Sequence, residues 1–159
     1  EVDKYTWVDK GLSFLPSDMN AAYLWAQLER FDDIRENRMN SWDRYYSGLQ
    51  RLADKEYISL PYIPGYCEHN AHMFYIKVRD CNTRTDVLNY LKSKGILGVF
   101  HYVPLHSSKA GMKYGRFSGE DRCTTAESSR LIRLPMYYGL KSEEIDYIID
   151  SIEQYYNNY

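Results

Sequence analysis

A helical spacing of apolar residues dominates the first part of the chain. Behind Ser17, whose side chain can cap a helix, apolar residues recur at steps of three and four. This stripe consists of Leu24, Leu28, Phe31, Ile34, Met39, Trp42, Tyr46, Leu49 and Leu52. The spacing predicts one helix of about 35 residues, or two helices joined near Asp32-Asp33. We expect part of the stripe to lie exposed, because the rest of the chain is too small to cover so long a helix.

Strands and shorter helices are predicted for the remainder of the chain. Residues 72–78 alternate with a period of two, which places His72, Phe74, Ile76 and Val78 on one face of a strand. The predicted strands are residues 57–60, 72–78 and 99–103. The predicted helix caps are Thr83 or Thr85, Thr124 or Thr125, and Ser142. The last helix should bury Ile145, Ile148, Ile149 and Ile152.

The order of these elements indicates an α+β fold. Strands that alternate with helices through short connections favour a small sheet with helices on one face. The polar, glycine-rich residues 107–121 are predicted to be a surface loop. Residues 1–16 are predicted to be an irregular lead-in segment and residues 17–159 one domain, which suits a chain of 159 residues.

Charge and cysteine usage exclude several classes of protein. Twenty basic and 22 acidic residues leave a net charge of −2, whereas a nucleic-acid-binding protein needs a basic surface. No apolar run approaches the roughly 18 residues of a membrane helix, and the first residues do not resemble a signal peptide. Cys67, Cys81 and Cys123 fit neither a disulfide framework nor a zinc finger. We therefore expect buried, reduced cysteines and a cytoplasmic location, with no nucleic acid and no membrane as partner.

The four histidines are the first candidates for chemistry. His69 and His72 lie three residues apart, but no further ligands converge with them, so no metal site is expected. His72 and His101 share the apolar series of predicted strands, which favours packing over ligand binding. His106 follows Pro104 in a loop, where polar side chains more often meet ligands. Motifs of serine hydrolases, zinc proteases, phosphate-binding loops and dinucleotide-binding folds are absent from the sequence.

Tyrosine is unusually frequent, with 17 residues. Its ring and hydroxyl suit protein interfaces and sugar-binding clefts, although most of these residues would also suit half-exposed strands. From the residues alone, the chain is an α+β domain with an aromatic surface and a missing partner. A non-catalytic carbohydrate- or nucleotide-binding module and a dimerisation module both remain open.

Two sequence motifs add a family resemblance. Leu15-Pro16-Ser17-Asp18-Met19-Asn20-Ala21-Ala22-Tyr23-Leu24 and Phe100-His101-Tyr102-Val103-Pro104-Leu105-His106 resemble the C-terminal part of the DegT/StrS sugar aminotransferases. Supporting motifs, in the same order as in the family, are Asn70-Ala71-His72-Met73-Phe74-Tyr75, Gly119-Glu120-Asp121-Arg122 and Arg133-Leu134-Pro135. The resemblance spans nearly the whole chain. It implies the small C-terminal domain of the aspartate-aminotransferase fold (fold type I), with a mostly antiparallel sheet.

The resemblance also implies an activity. Members of the family use pyridoxal 5'-phosphate to move an amino group, usually from glutamate, to the keto carbon of a nucleotide-linked sugar. The start of the chain, Val2-Asp3-Lys4-Tyr5-Thr6-Trp7-Val8-Asp9, is similar to members that act on dTDP-4-keto-6-deoxyglucose. Such enzymes serve lipopolysaccharide and surface polysaccharide synthesis, and a homodimer is expected.

The cofactor-binding lysine of the family has no counterpart in the sequence. In the family it lies in the large N-terminal domain, in a Ser-x-x-Lys stretch followed by Gly-Glu-Gly-Gly, and no lysine here has that context. The resemblance therefore implies a C-terminal fragment that lacks the large cofactor-binding domain, has no catalytic residue of its own, binds no cofactor and is inactive alone. The resemblance also implies that His101, Tyr102 and His106 bind the substrate and that Ser13 lies near the cofactor phosphate.

Overall fold

The computed structural model describes residues 14–158. The predictions for most of the lead-in segment, including Ser13, lie outside the described residues. The chain divides into two compact units between Asp32 and Asp33. The elements, in chain order, are α1 (Asp18–Leu28), α2 (Phe31–Asp54), β1 (Phe74–Lys77), α3 (Cys81–Ser93), β2 (Val99–Phe100), a 3₁₀ turn (Leu105–Ser107), α4 (Lys109–Tyr114), α5 (Thr124–Arg130), β3 (Leu131–Leu134) and α6 (Ser142–Asn157).

The predicted long stripe forms two helices. Helix α1 begins behind Ser17, whose hydroxyl accepts a hydrogen bond from the backbone N–H of Asn20 at 3.3 Å. It ends at Leu28, and α2 begins at Phe31, close to the predicted junction at Asp32-Asp33. No residue of α1 is buried. Its exposed apolar residues are Met19, Tyr23, Leu24, Trp25 and Leu28.

Helix α2 buries the second part of the stripe. Trp42, Leu49 and Leu52 are buried, as is Tyr45, whereas the predicted Tyr46 is only half-buried. The hydroxyl of Tyr45 donates to the backbone oxygen of Pro135 at 3.0 Å. This bond satisfies the polar end of a side chain that is otherwise surrounded by apolar groups.

The sheet has three strands in the order β1-β3-β2, and both neighbours run antiparallel to the central β3. Phe74 pairs with Leu134 and Ile76 with Ile132, so their side chains share the buried face. Helices α2, α3 and α6 supply most of the rest of the core, and connecting segments add Ile58, Ala71, Val78, Ile96 and Leu140. The α+β class, the antiparallel sheet and the helical covering are therefore confirmed.

The central strand is the main element that the sequence patterns did not predict. No strand is predicted at Leu131–Leu134, yet this segment holds the other two strands together. The predicted strand at residues 57–60 is reduced to one bridge between Ser59 and Lys77. The predicted strand at 99–103 is confirmed only for Val99–Phe100. The next residue, His101, would pair with Leu131. Because Leu131 is the first residue of β3, residues after His101 have no partner in that strand.

Three further predictions are corrected at the surface. Residues 107–121 are not one loop, because Ser108 caps helix α4 by accepting a hydrogen bond from the N–H of Gly111 at 2.9 Å. The three cysteines are free and exposed rather than buried. Helix α6 is capped at its start by the Glu144 carboxylate, which accepts from the N–H of Lys141 at 2.9 Å, and not by Ser142. Its four predicted isoleucines are buried, as expected.

Asp80, rather than Thr83 or Thr85, caps helix α3. Its carboxylate accepts the backbone N–H of Thr83 at 2.8 Å and the hydroxyl of the same residue at 2.9 Å. The backbone N–H of Thr83 and then the guanidinium of Arg79 lower the pKa of Asp80 from 3.8 to about 2. An aspartate at this position suits the exposed N–H groups and the positive end of a helix.

The cap should make stability depend on pH in the acid range. Because the pKa of Asp80 is lower in the folded state, its stabilising effect is complete above the unfolded pKa of about 4 and is lost as pH falls through the folded value of about 2. We expect the free energy of unfolding of Asp80→Asn, measured with urea, to fall less steeply than that of the wild type over this range. The exposed Asp86→Asn on the same helix is the control and should keep the wild-type slope. Parallel curves for Asp80→Asn and wild type would contradict the assignment.

Candidate functional site

A surface pocket of about 310 Å³ lies where the chain leaves β2 and meets α5. Its lining residues are His101, Tyr102, Val103, Pro104, Thr124, Glu127, Ser128 and Leu131. Two predicted site residues, His101 and Tyr102, therefore line one pocket. His106 is not a lining residue. It lies in the 3₁₀ turn Leu105–Ser107, which directly follows the lining residue Pro104.

The segment that carries His101 and Tyr102 is held against the central strand by Arg133. Their rings pack edge to face at 5.6 Å between centroids, and the guanidinium of Arg133 on β3 lies 5.9 Å from the centre of the Tyr102 ring. Arg133 also donates to the backbone oxygen of Phe100 at 3.3 Å. The Tyr102 side chain is 78% exposed, while the Nδ1 atom of His101 is buried without a hydrogen-bond partner. The pocket thus offers an aromatic face at Tyr102, whereas the unsatisfied ring nitrogen of His101 is buried.

His106 is held by a hydrogen-bonded cluster. Its Nε2 atom lies 2.8 Å from Oδ2 of Asp121, and both side chains are about one-fifth exposed, at 20% and 21%. The hydroxyl of Thr125 donates to the same carboxylate oxygen, and the N–H of Thr125 donates to Oδ1 at 3.2 Å. On one side the His106 ring contacts Phe117, with ring centroids 4.4 Å apart. Asp121 therefore receives bonds from the ring and from the first turn of α5.

These contacts keep two carboxylates ionised. The hydroxyl of Thr125 is the main cause that lowers the pKa of Asp121, and the hydrogen bond from His106 adds to it. The hydrogen bond from Lys77 and then that from Arg130 lower the pKa of Glu127. Lys77 and Arg130 lie 2.9 Å and 2.7 Å from the two oxygens of Glu127. Of these two carboxylates, only Glu127 lines the pocket, where its charge is balanced by Lys77 and Arg130.

The described lining residues do not fit pyridoxal phosphate on their own. A Schiff base needs a neutral lysine amine, and none of the lining residues is a lysine. Lys77 lies outside this lining, and its amine contacts the Glu127 carboxylate at 2.9 Å. No step of a transamination can therefore be derived from this pocket alone.

Sequence reasoning missed the residues that support the site. Asp121 belongs to a quoted motif, Gly119-Glu120-Asp121-Arg122, yet its partner His106 lies 15 residues away, so spacing could not pair them. Arg133 belongs to the quoted motif Arg133-Leu134-Pro135 and Thr125 was named only as a possible helix cap, so neither was linked to the site. His72, predicted to pack in a strand, is exposed. The ring of His69 packs on Trp42 at 4.4 Å, and its Nδ1 accepts the N–H of Ala71 at 3.3 Å.

Two features bear on partners and metals. Within residues 14–158, no helix is both long and apolar enough to cross a membrane. Across the same residues, no group of three or more histidine, cysteine, aspartate and glutamate side chains is arranged to hold a metal ion.

Known proteins similar to this chain include sugar aminotransferases. The dTDP-4-amino-4,6-dideoxy-D-glucose transaminase of Shigella dysenteriae is 29% identical over 141 residues, which are 87% of this chain and 37% of that protein. The solved structure of a DegT/DnrJ/EryC1/StrS aminotransferase from Brucella abortus is 26% identical in sequence and superposes with a TM-score of 0.73. The match covers 85% of this chain and 34% of the Brucella chain. NtdA from Bacillus subtilis, solved with bound cofactor PMP, is 25% identical with a TM-score of 0.64, covering 76% of this chain and 28% of its own.

The fold is that of the small α+β part of fold type I aminotransferases. Residues 2–153 match the DegT/DnrJ/EryC1/StrS aminotransferase family. The chain belongs to this family. It spans about a third of the length of the curated relatives it matches, at 35% and 37%.

Proposed function

We propose that the chain is the C-terminal part of a pyridoxal-phosphate-dependent nucleotide-sugar transaminase. The complete protein would transfer an amino group from glutamate to dTDP-4-keto-6-deoxyglucose, giving dTDP-4-amino-4,6-dideoxygalactose, in lipopolysaccharide or surface polysaccharide synthesis. The family match over residues 2–153 carries the proposal. The Shigella relative, named as a dTDP-sugar transaminase, supports the substrate class.

In this proposal the described residues supply a wall of the substrate cleft and not the reacting groups. His101 and Tyr102 line the pocket, and Tyr102 offers an exposed phenol to the sugar. His106 lies beside them on the same segment. The large domain, which is absent from this chain, supplies the lysine and most of the cofactor site. The cofactor, when bound there, stores the negative charge that develops when a proton leaves the carbon next to nitrogen.

Three companion statements belong to the same proposal. The complete protein acts as a homodimer in the cytoplasm, and the exposed apolar residues of α1 support association, because large exposed apolar patches mark interaction surfaces. Ser13 lies near the cofactor phosphate. Glutamate and a dTDP-sugar are the substrates of the complete protein.

The first test separates this chain from the complete protein. With pyridoxal phosphate, we expect this chain to give no borohydride-reducible adduct at one specific lysine, as read by absorbance and peptide mass spectrometry. The protein encoded by the complete reading frame should give such an adduct and convert glutamate to 2-oxoglutarate with dTDP-4-keto-6-deoxyglucose. A single specific adduct on this chain would contradict the proposal that the large domain supplies the cofactor-binding lysine. No turnover by the complete protein with any dTDP-keto-sugar would overturn the function.

The second test addresses the pocket residues. In the complete protein, Tyr102→Phe should raise the KM for the sugar nucleotide by about three- to tenfold, the size of one lost hydrogen bond, with little change in the KM for glutamate. Tyr62→Phe, at an 81% exposed tyrosine outside the pocket, is the matched control and should behave as wild type. Tight binding of dTDP or dTDP-sugars by this chain alone, measured by titration calorimetry, would favour a self-sufficient binding module instead.

A further inference from the structure

The contacts of His106 leave one ring nitrogen with a defined role. Nε2 faces Oδ2 of Asp121 at 2.8 Å, and Nδ1 has no hydrogen bond to any residue within the described range 14–158. A carboxylate that accepts two bonds from Thr125 stays ionised and can only accept from the ring. The proton of a neutral His106 ring must therefore sit on Nε2, and Nδ1 is then a hydrogen-bond acceptor.

The same cluster fixes the orientation of the ring. The tilted contact with the Phe117 ring, whose centroid lies 4.4 Å from that of the imidazole, limits rotation of the imidazole. Asp121 is anchored through both oxygens to the first turn of α5, so it cannot follow a rotating ring. The segment that carries His106 also carries the pocket residues His101 and Tyr102, and Thr125 follows the lining residue Thr124 in the chain. The histidine is thus both oriented and close in sequence to the pocket.

We propose that Asp121 is a positioning residue that fixes the tautomer and the orientation of His106, so that Nδ1 accepts a hydrogen bond from a hydroxyl group of the bound sugar nucleotide. Thr125 holds Asp121 in place for this purpose. The half of the proposal that concerns the sugar rests on the proposed function. The half that concerns the tautomer stands on the geometry of this chain alone.

The tautomer is tested on this chain by NMR of its 15N-labelled histidines, at a pH well above the ordinary imidazole pKa of about 6.5. We expect His106 in the wild type to show the proton on Nε2 and a bare Nδ1. Asp121→Asn presents an amide N–H₂ to Nε2, so the proton should move to Nδ1, as removal of the charge does in other aspartate–histidine pairs. Thr125→Val removes the hydroxyl and keeps the backbone N–H, and should give a mixture of both forms.

Glu120→Gln is the matched control for Asp121→Asn. It removes the same charge from the same loop, at a side chain that is 75% exposed and contacts Arg122 rather than the histidine. We expect it to keep the wild-type tautomer, and circular dichroism should show all three variants folded. A wild-type His106 with its proton on Nδ1, or an Asp121→Asn variant with the proton still on Nε2, would overturn the positioning role.

Kinetics of the complete protein test the sugar contact separately. Asp121→Asn should raise the KM for the sugar nucleotide by about tenfold and leave the KM for glutamate unchanged, because it turns the Nδ1 acceptor into a donor. An unchanged KM beside a switched tautomer would overturn the sugar contact and keep the positioning role. Absence of turnover in the wild type would count against the proposed function, whereas the NMR result would stand.

Discussion

Phe74→Ala is expected to lower the free energy of unfolding by about 3–5 kcal/mol. Phe74 is fully buried. Its ring stacks on Tyr45 with centroids 5.1 Å apart and meets Trp42 edge-on at 5.4 Å. It also pairs with Leu134 across the sheet. Truncation removes the buried ring and opens a cavity between α2 and the sheet that these rigid neighbours cannot fill.

Phe74→Leu is the matched control, because it keeps an apolar side chain of nearly the same volume. It should cost less than about 1.5 kcal/mol. Urea unfolding followed by circular dichroism measures both variants, and the m-value checks that unfolding remains two-state. A loss below about 1 kcal/mol for Phe74→Ala would show that Phe74 is not the centre of the core.

The phase of the Phe74 strand was predictable from the sequence, but its start was not. Phe74, Ile76 and Val78 alternate correctly, and all three are buried. His72 has the right spacing but its backbone is already used, since its N–H donates to Asn70 at 3.1 Å and its oxygen accepts from Arg38. The side chains of Asn70 and Arg38, which lie outside the alternating pattern, thus occupy the backbone of His72, and the strand begins at Phe74. Periodicity reports which residues face the core, and it does not report which backbone groups are free to pair.

For the central strand β3, the sequence pattern did not indicate a strand at all. Leu131–Leu134 follows α5 without a connecting residue, and four residues are too few to separate alternation from helical spacing. Only the pairing with β1 and β2 defines it, and both partners are distant in sequence. The candidate site has the same dependence. His101, Tyr102 and His106 could be named from one motif, whereas Asp121, Thr125 and Arg133 gain their roles from contacts across the fold.

Gly111→Ala is expected to destabilise the segment that carries His106, by about 1–3 kcal/mol. A β-carbon at this position would overlap the backbone carbonyl oxygen of Leu105. No side-chain rotation can relieve a clash with backbone, so α4 must move away from the 3₁₀ turn. Ser108, which accepts from Gly111 at 2.9 Å and donates to Leu105 at 2.7 Å, would lose its cap geometry.

The sign of this effect separates close packing from helix propensity. Alanine favours a helix over glycine by about 0.5–1 kcal/mol, so propensity alone predicts that Gly111→Ala is more stable than wild type. Gly65→Ala is the matched control, because nothing lies within 4 Å of its added β-carbon, and it should be neutral or stabilising by up to about 1 kcal/mol. Thermal unfolding gives the stability, and the 15N signals of His106 report whether its contact with Asp121 is lost. A Gly111→Ala variant that is more stable than wild type, with unchanged His106 signals, would show that the turn and α4 do not pack as closely as the structure has them.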